Sequence, residues 1–304
     1  MSAKEAPVTE SLSAALARVA DAVENMFDVI LPPAGPGPEG RLHEAMRYAT
    51  LAGGKRFRPF LVVASGELFD VPENVTLRVG LAVELIHSYS LIHDDLPCMD
   101  DDALRRGKPS CHIEFGEALA VLAGDALMPL AFELLADPAT HPDAAVRAAL
   151  VANLALAAGA RGMVGGQVLD LAAESMTLDA GEVARLERLK TGALISFCCD
   201  AGALLGRAGD GERRALSGYA HDLGLAYQMA DDLLDVEGDA AAVGKAVHKD
   251  AERGKATFVT VLGADKAREH ARRLAAQAAA HLDIFAERGD RLRSLARFVV
   301  ERVS

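Results

Sequence analysis

The stretch VTLRVGLAVELIHSYSLIHDDLPCMDDD, residues 75–102, decides the fold. From 75 to 96 its Val, Leu, Ile and Ala cover more than one face of a helix, with no strand-like alternation. A helix apolar on several faces belongs inside a bundle and not on its surface. The run then ends in Asp94, Asp95, Asp100, Asp101 and Asp102, straddling Pro97.

The same pattern recurs at MADDLLDVEGD, residues 229–239, where Asp231, Asp232 and Asp235 continue a helix read over 211–237. Further helices are expected over 11–31, 41–52, 55–70, 114–136, 143–158, 160–174, 180–206, 264–287 and 290–302, separated by Gly, Pro and Asp. In the first, Leu12, Leu16, Val19, Val23, Met26, Phe27 and Ile30 make one apolar stripe. PPAGPGPEG (32–40) breaks it and is too short for a domain linker. The stretches 114–136 and 211–237 are, like 75–96, apolar on more than one face and expected in the interior. The expectation is an all-α fold, a single domain over 1–304 made of an N-terminal helix (11–31) and a body (41–304).

Composition agrees. Of 304 residues, 51% are hydrophobic, 5% aromatic and 25% charged, with no Trp, which excludes a mainly disordered chain. A net charge of −12 repels a nucleic-acid backbone, so no nucleic-acid partner is expected. Charges such as Glu84, Asp125 and Asp200 interrupt the apolar runs, so no membrane span is expected. The start MSAKE lacks the pattern of a secretory signal. Four cysteines without a CxxC pair suit a reducing, cytoplasmic location.

A lone acidic burst is ordinarily a solvated helix end. Two bursts change that reading, because Asp231 and Asp235 are an i, i+4 pair with no Lys or Arg at adjoining helical positions. Like charges there repel unless a cation binds, and hard carboxylate oxygens suit Mg²⁺, which prefers a few carboxylates, water and substrate phosphates. Basic residues punctuate the bursts in an otherwise acidic chain: Lys55, Arg56 and Arg58 after Gly53-Gly54; Arg105, Arg106 and Lys108; Lys245, Lys249 and Lys255. Together they point to a phosphorylated ligand, with backbone N–H donors added by the helix start after the glycines. His87 lies two helical turns before Asp94 and faces the same way.

These residues resemble the trans-polyprenyl diphosphate synthases. The likeness rests on DDLPCMD (94–100) and DDLLD (231–235), with GGKRFRP (53–59), LRRGKPSCH (104–112), GGQVLDL (165–171), KTGALI (190–195) and GKATF (254–258). It is greatest to the bacterial farnesyl-forming members. The resemblance implies condensation of isopentenyl diphosphate with dimethylallyl and then geranyl diphosphate, by a homodimer that uses two to three Mg²⁺ ions. Asp94, Asp100 and Asp231 would ligate the metal, with Asp95, Asp232 and Asp235 in support. Arg105, Lys190, Gln228, Lys245 and Lys255 would hold the allylic diphosphate, and Lys55, Arg58, His87 and Arg106 the isopentenyl diphosphate. Lys190, Thr191 and Gln167 would steady the carbocation. Tyr89 and Ser90, five and four residues before Asp94, would set the floor of the chain pocket, roughly 7.5 Å down the helix for Tyr89. An aromatic floor implies a fifteen-carbon product. A twenty-carbon synthase is the near alternative, a non-catalytic regulatory subunit the alternative of another class, and a terpene cyclase ordinarily lacks the second complete motif. Phe57 stands where the family more often has Leu. Residues 238–254, poor in apolar side chains, are expected to form a mobile lid that closes Lys245 and Lys255 over the diphosphate.

Overall fold

The computed structural model describes residues 10–173, 175–237 and 257–301. Helices α1 (Leu12–Ile30), α2 (Pro38–Thr50), α3 (Phe57–Glu67) and α4 (Glu73–Asp94) are followed by a small hairpin of β1 (Leu104–Arg105) and β2 (Lys108–Pro109). Then come α5 (Cys111–Phe115), α6 (Glu117–Ala136), α7 (Ala144–Ala158), α8 (Met163–Ala173) and α9 (Ala180–Glu187). A π-helical turn, Arg188–Gly192, leads into α10 (Ala193–Leu205) and α11 (Asp210–Glu237). Beyond the undescribed segment lie helices Phe258–Leu262, Ala264–His281 and Asp290–Glu301.

The helix starts follow local chemistry. Ser11 and Asp143 accept from the backbone N–H of Ala14 and Ala145, and Asp179 forms a reciprocal box with Glu182. Helix α4 is the hub, packed against α3 on one side and α6 on another, with α10 behind. Its residues from Val79 to Ile86 are all buried, as the many-sided apolar pattern predicts. Against α11 lies helix Ala264–His281, whose buried face is Ala267, Ala271, Ala275 and Ala278, small enough for two backbones to approach closely. One continuous apolar cluster runs from Ala15 in α1 to Val300 in the last helix.

Several boundaries differ from the sequence reading. The stretch 114–136 is divided at Gly116, whose φ of +85° ends α5 and starts α6. The stretch 180–206 is interrupted by the π turn, and 264–287 stops at His281 before a 3₁₀ segment, Leu282–Gly289. The hairpin was not expected. Its two-residue turn, Arg106-Gly107, has φ of +54° and +76°, the mirror-image turn that matches strand twist.

Two expectations are corrected. Helix α6 is not interior on all sides, for Val121 and Leu122 are 39% and 51% exposed. The expectation that charges break every apolar run also fails: Glu73–Asp94, Glu117–Ala136 and Ala144–Ala173 are long and apolar enough to cross a membrane by length and composition. Single charges barely lower the mean over eighteen residues. In the first of these, 72% of the apolar window is buried within the protein itself.

Candidate active site

The end of α4 is wound back on itself. The N–H of Asp100 donates to the carbonyl of Asp94 at 2.8 Å, that of Asp101 to Leu96 at 3.1 Å and that of Asp102 to Asp95 at 3.2 Å. This loop brings Asp100 beside Asp94, so two carboxylates six residues apart share one place. Burial pushes the Asp94 carboxyl up to about 6; Lys190 and Arg105 oppose that rise, and Asp100 and Asp95 add to it.

Asp95 has a different position. It is buried, and both its oxygens accept from Arg105 Nε, at 3.0 and 3.1 Å, with a further bond from Nη2. Such a fork holds the guanidinium in one plane. Asp232 is likewise committed, accepting from Gln228 Nε2 at 2.9 Å and from the Phe258 N–H at 2.8 Å. Both oxygens of each of these carboxylates therefore have protein donors. Asp95 thereby orients Arg105, and Asp232 holds the Gln228 amide.

Asp231 is exposed on α11, while Asp235, one turn on, is half-buried. Asp235 Oδ2 is enclosed without a hydrogen-bond partner among the described residues. An enclosed carboxylate oxygen and its i, i+4 neighbour are a donor set that fits a hard divalent cation. Among the described residues no three His, Cys, Asp or Glu side chains converge as a complete metal cage.

The π turn links the two aspartate helices. Lys190 Nζ is held by Asp170 at 2.6 Å, and its charge reaches Asp94. Next to it, Thr191 Oγ1 bonds Gln228 Oε1 and Glu187 Oε2, each at 3.2 Å. Gly166 permits this arrangement, because a Cβ there would collide with the backbone of Lys190. Asp170 and Glu187 were missed in the sequence reading. The available signal was Asp170, one turn from Gln167 on α8. Burial pushes Glu187 up to about 8, with Asp232 adding to the rise.

Below these groups is a cavity of about 540 Å³. Arg58, His87, Asp94, Gln167, Lys190 and Thr191 supply its polar lining. Tyr89, Ser90, Met99, Val121, Val164, Val168 and Leu171 line the rest. Its volume is that of a small-molecule site, apolar with convergent polar groups. Val121, Val164 and Val168, all of which line this space, are exposed. Tyr89 is itself buried, its ring edge-on to His93 at 5.7 Å. The Gln167 amide has its Nε2 enclosed without a partner among the described residues.

Of the residues expected to hold isopentenyl diphosphate, Arg58 and His87 line the cavity and Arg106 lies near Arg58. Arg106, at the left-handed corner of the hairpin, donates to the Gly53 carbonyl. A Cβ on Gly54, whose φ is +139°, would come within 2.9 Å of that guanidinium. Burial lowers the Arg106 pKa; Glu84 opposes this, and Arg56, Arg105 and Arg58 reinforce it. Four arginines thus stand near one another. Phe57 stacks on Tyr227 with centroids 4.8 Å apart, joining this loop to α11 just before Gln228. The Leu-to-Phe departure is therefore a packing feature. Arg56 does not face the site. Lys245, Lys249, Lys255 and the expected lid, 238–254, lie outside the described residues.

Comparison with known proteins gives concordant findings. A model of the polyprenyl synthetase family matches residues 39–287. A farnesyl diphosphate synthase of Escherichia coli is 48% identical over 267 residues, covering 85% of this chain and 88% of that protein. The geranylgeranyl pyrophosphate synthase 11 of Arabidopsis thaliana is 43% identical, covering 87% of this chain and 74% of that protein. The crystal structure of an FPP/GFPP synthase from Zymomonas mobilis superposes with a TM-score of 0.86 at 50% identity, covering 95% of this chain and 98% of that one.

Proposed function

The chain belongs to the polyprenyl synthetase family, and we propose that within it the protein is a farnesyl diphosphate synthase that joins isopentenyl diphosphate to dimethylallyl and then geranyl diphosphate. The observation that carries this reading is the apolar cavity whose lining brings together Tyr89, Asp94, Arg58, His87 and Lys190. Bacterial farnesyl diphosphate synthases of 41–48% identity support it.

In the reaction the allylic C1–O bond breaks and its electron pair leaves with the diphosphate. The π electrons of isopentenyl diphosphate form the new carbon–carbon bond, and a proton passes from the adjoining carbon to a diphosphate oxygen as the double bond re-forms. Arg105, held flat by Asp95, and Lys190, held by Asp170, meet the charge that builds on the departing group. Magnesium, bound through Asp94, Asp100 and Asp231 with Asp235 nearby, would supply Lewis-acid neutralisation of that charge. Lys55, Arg58, His87 and Arg106 hold the second diphosphate, so both reactants approach in one orientation. Thr191, Gln167 and the backbone of the π turn present dipoles to the cation, and the apolar walls keep water from it. No protein nucleophile is needed.

We further read the chain as one domain working as a homodimer. Leu122 on α6 and Leu156 on α7 are 51% and 44% exposed and do not line the cavity, so a second copy has apolar surface to cover. Four free thiols, three of them buried, accord with a cytoplasmic site of action. The test is incubation with Mg²⁺, isopentenyl diphosphate and either dimethylallyl, geranyl or farnesyl diphosphate, followed by mass spectrometry. Elongation stopping at fifteen carbons is the expected result. Conversion of farnesyl diphosphate to a twenty-carbon product as the main reaction would overturn it in favour of a geranylgeranyl synthase.

A further inference from the structure

Between Lys55 and Arg58 stands Arg56, the largest fully buried side chain among the described residues, and it does not line the cavity. Its Nη1 donates to Glu84 Oε1 at 2.9 Å and its Nη2 to the Thr50 carbonyl at 2.7 Å. The guanidinium lies over the Phe27 ring, 5.2 Å from its centroid, and Glu24 approaches to 3.5 Å. Elements α1, α2 and α4 therefore all grip one residue of the loop before α3. Glu84 is also buried, in the middle of an apolar helix.

The backbone at Arg56 is left-handed, with φ of +44° and ψ of +39°, a conformation a non-glycine residue keeps only when its surroundings over-determine it. That bend sets the directions in which Lys55 and Arg58 leave the chain. On the other side of it, the Gly53 carbonyl receives Arg106. Glu84 precedes His87 by three residues, so the partner of Arg56 and the imidazole share a face of α4. Lys55 and Arg58 thus lie one and two residues from Arg56 and His87 three residues from Glu84, while Arg106 is tied to the same loop at Gly53.

We propose that the buried Arg56–Glu84 ion pair is the positioning frame of the isopentenyl diphosphate subsite, holding the Gly53–Arg58 loop against α4 without touching substrate. The inference rests on the reading of that subsite given under Proposed function. Buried ion pairs contribute little to stability compared with well-packed apolar groups of similar volume. A pair kept here, with the second arm of the guanidinium on the Thr50 carbonyl, has its effect on geometry. Glu84 also lies near Arg106, opposing the repulsion that Arg56, Arg58 and Arg105 exert on it.

The experiment measures KM for isopentenyl diphosphate and for geranyl diphosphate separately, with kcat and Tm, in the full-length parent and two variants. Arg56→Lys keeps a charge but cannot present the planar pair of donors that joins Glu84 to the Thr50 carbonyl. The double variant Arg56→Met with Glu84→Met leaves no orphaned charge and keeps the volume filled. In both, KM for isopentenyl diphosphate rises about tenfold while KM for geranyl diphosphate stays within about twofold, the split that marks one disordered subsite. A parental KM for isopentenyl diphosphate in the folded double variant, or an equal rise in both KM values, overturns the proposal. If the double variant does not fold, Arg56→Lys decides by the same criterion. A parent that does not consume isopentenyl diphosphate overturns the functional reading itself, a result distinct from failure of the frame.

Discussion

Replacing Tyr89 by Ala tests the floor of the cavity. Tyr89 is five residues before Asp94, about 7.5 Å along α4 at 1.5 Å per residue. The next residues on that face are Leu85 and Ile86, about one turn or 5.4 Å deeper, and both are fully buried. Removal of the phenol ring therefore opens close to one helical turn. One added isoprene unit extends a chain by four carbon–carbon bonds, about 5 Å for bonds near 1.5 Å at tetrahedral angles. The space gained matches one further condensation. The stability cost is set by how much of the ring is packed. Aromatic-to-alanine changes in a closed core cost about 3–5 kcal/mol, and Tyr89 faces the cavity on one side, so a loss of about 2–3 kcal/mol is expected. The assay incubates parent, Tyr89→Ala and Tyr89→Phe with geranyl diphosphate and excess isopentenyl diphosphate and weighs the products by mass spectrometry. Tyr89→Ala shifts the main product from fifteen to twenty carbons, and Tyr89→Phe, which keeps the ring, does not. A folded Tyr89→Ala that still stops at fifteen carbons would refute the floor at this position and move it to Ser90 or the His93–Val121 wall.

Asp94→Asn and Asp231→Asn each lower kcat by about 10²-fold or more through lost charge stabilisation, with helical circular dichroism unchanged; near-parental turnover in either would remove that residue from the metal set. The Asp94 substitution has an opposite effect on stability. Its carboxyl ionises at about 6 in the folded chain against 3.8 in the unfolded one, so the folded state binds the proton more tightly and stability falls as pH rises through that window. In chelator, Asp94→Asn should therefore raise Tm at pH 7.5 and raise it less at pH 4.5, and equal gains at both would contradict the burial argument. Asp170→Asn releases Lys190 and lowers kcat/KM for the allylic substrate by about tenfold to a hundredfold, while KM for isopentenyl diphosphate stays near its parental value. Light scattering should give twice the 32.0 kDa chain mass, and Leu122→Lys should halve it. A parental mass in that variant would place the interface elsewhere.

What was legible in the sequence and what was not divide along a physical line. The helices, the two aspartate bursts and the basic clusters are one-dimensional patterns: a period, a spacing, a local charge. Each survives projection onto a string, which is why the helices that end in Asp94 and carry Asp231 are legible there. Partnership does not survive that projection. DD at 94–95 reads as two equivalent carboxylates, yet the helix end turns one toward the cavity and the other onto Arg105, and only the backbone direction at the end of α4 separates them. GGKR reads as two cations in series, yet the left-handed bend at Arg56 sends its guanidinium 28 residues along the chain to Glu84. The one hint was Glu84 itself, since an acid inside a helix buried all round must have a partner. Exposure is ambiguous for the same reason. Val121 and Leu122 are adjacent apolar residues on one helix, but successive residues point about 100° apart, so the first lines the cavity and the second lies outside it. An apolar helix that lines a cavity on one side carries the same residues as one buried in a core. Composition therefore establishes that such a helix must be covered, and the site determines by what.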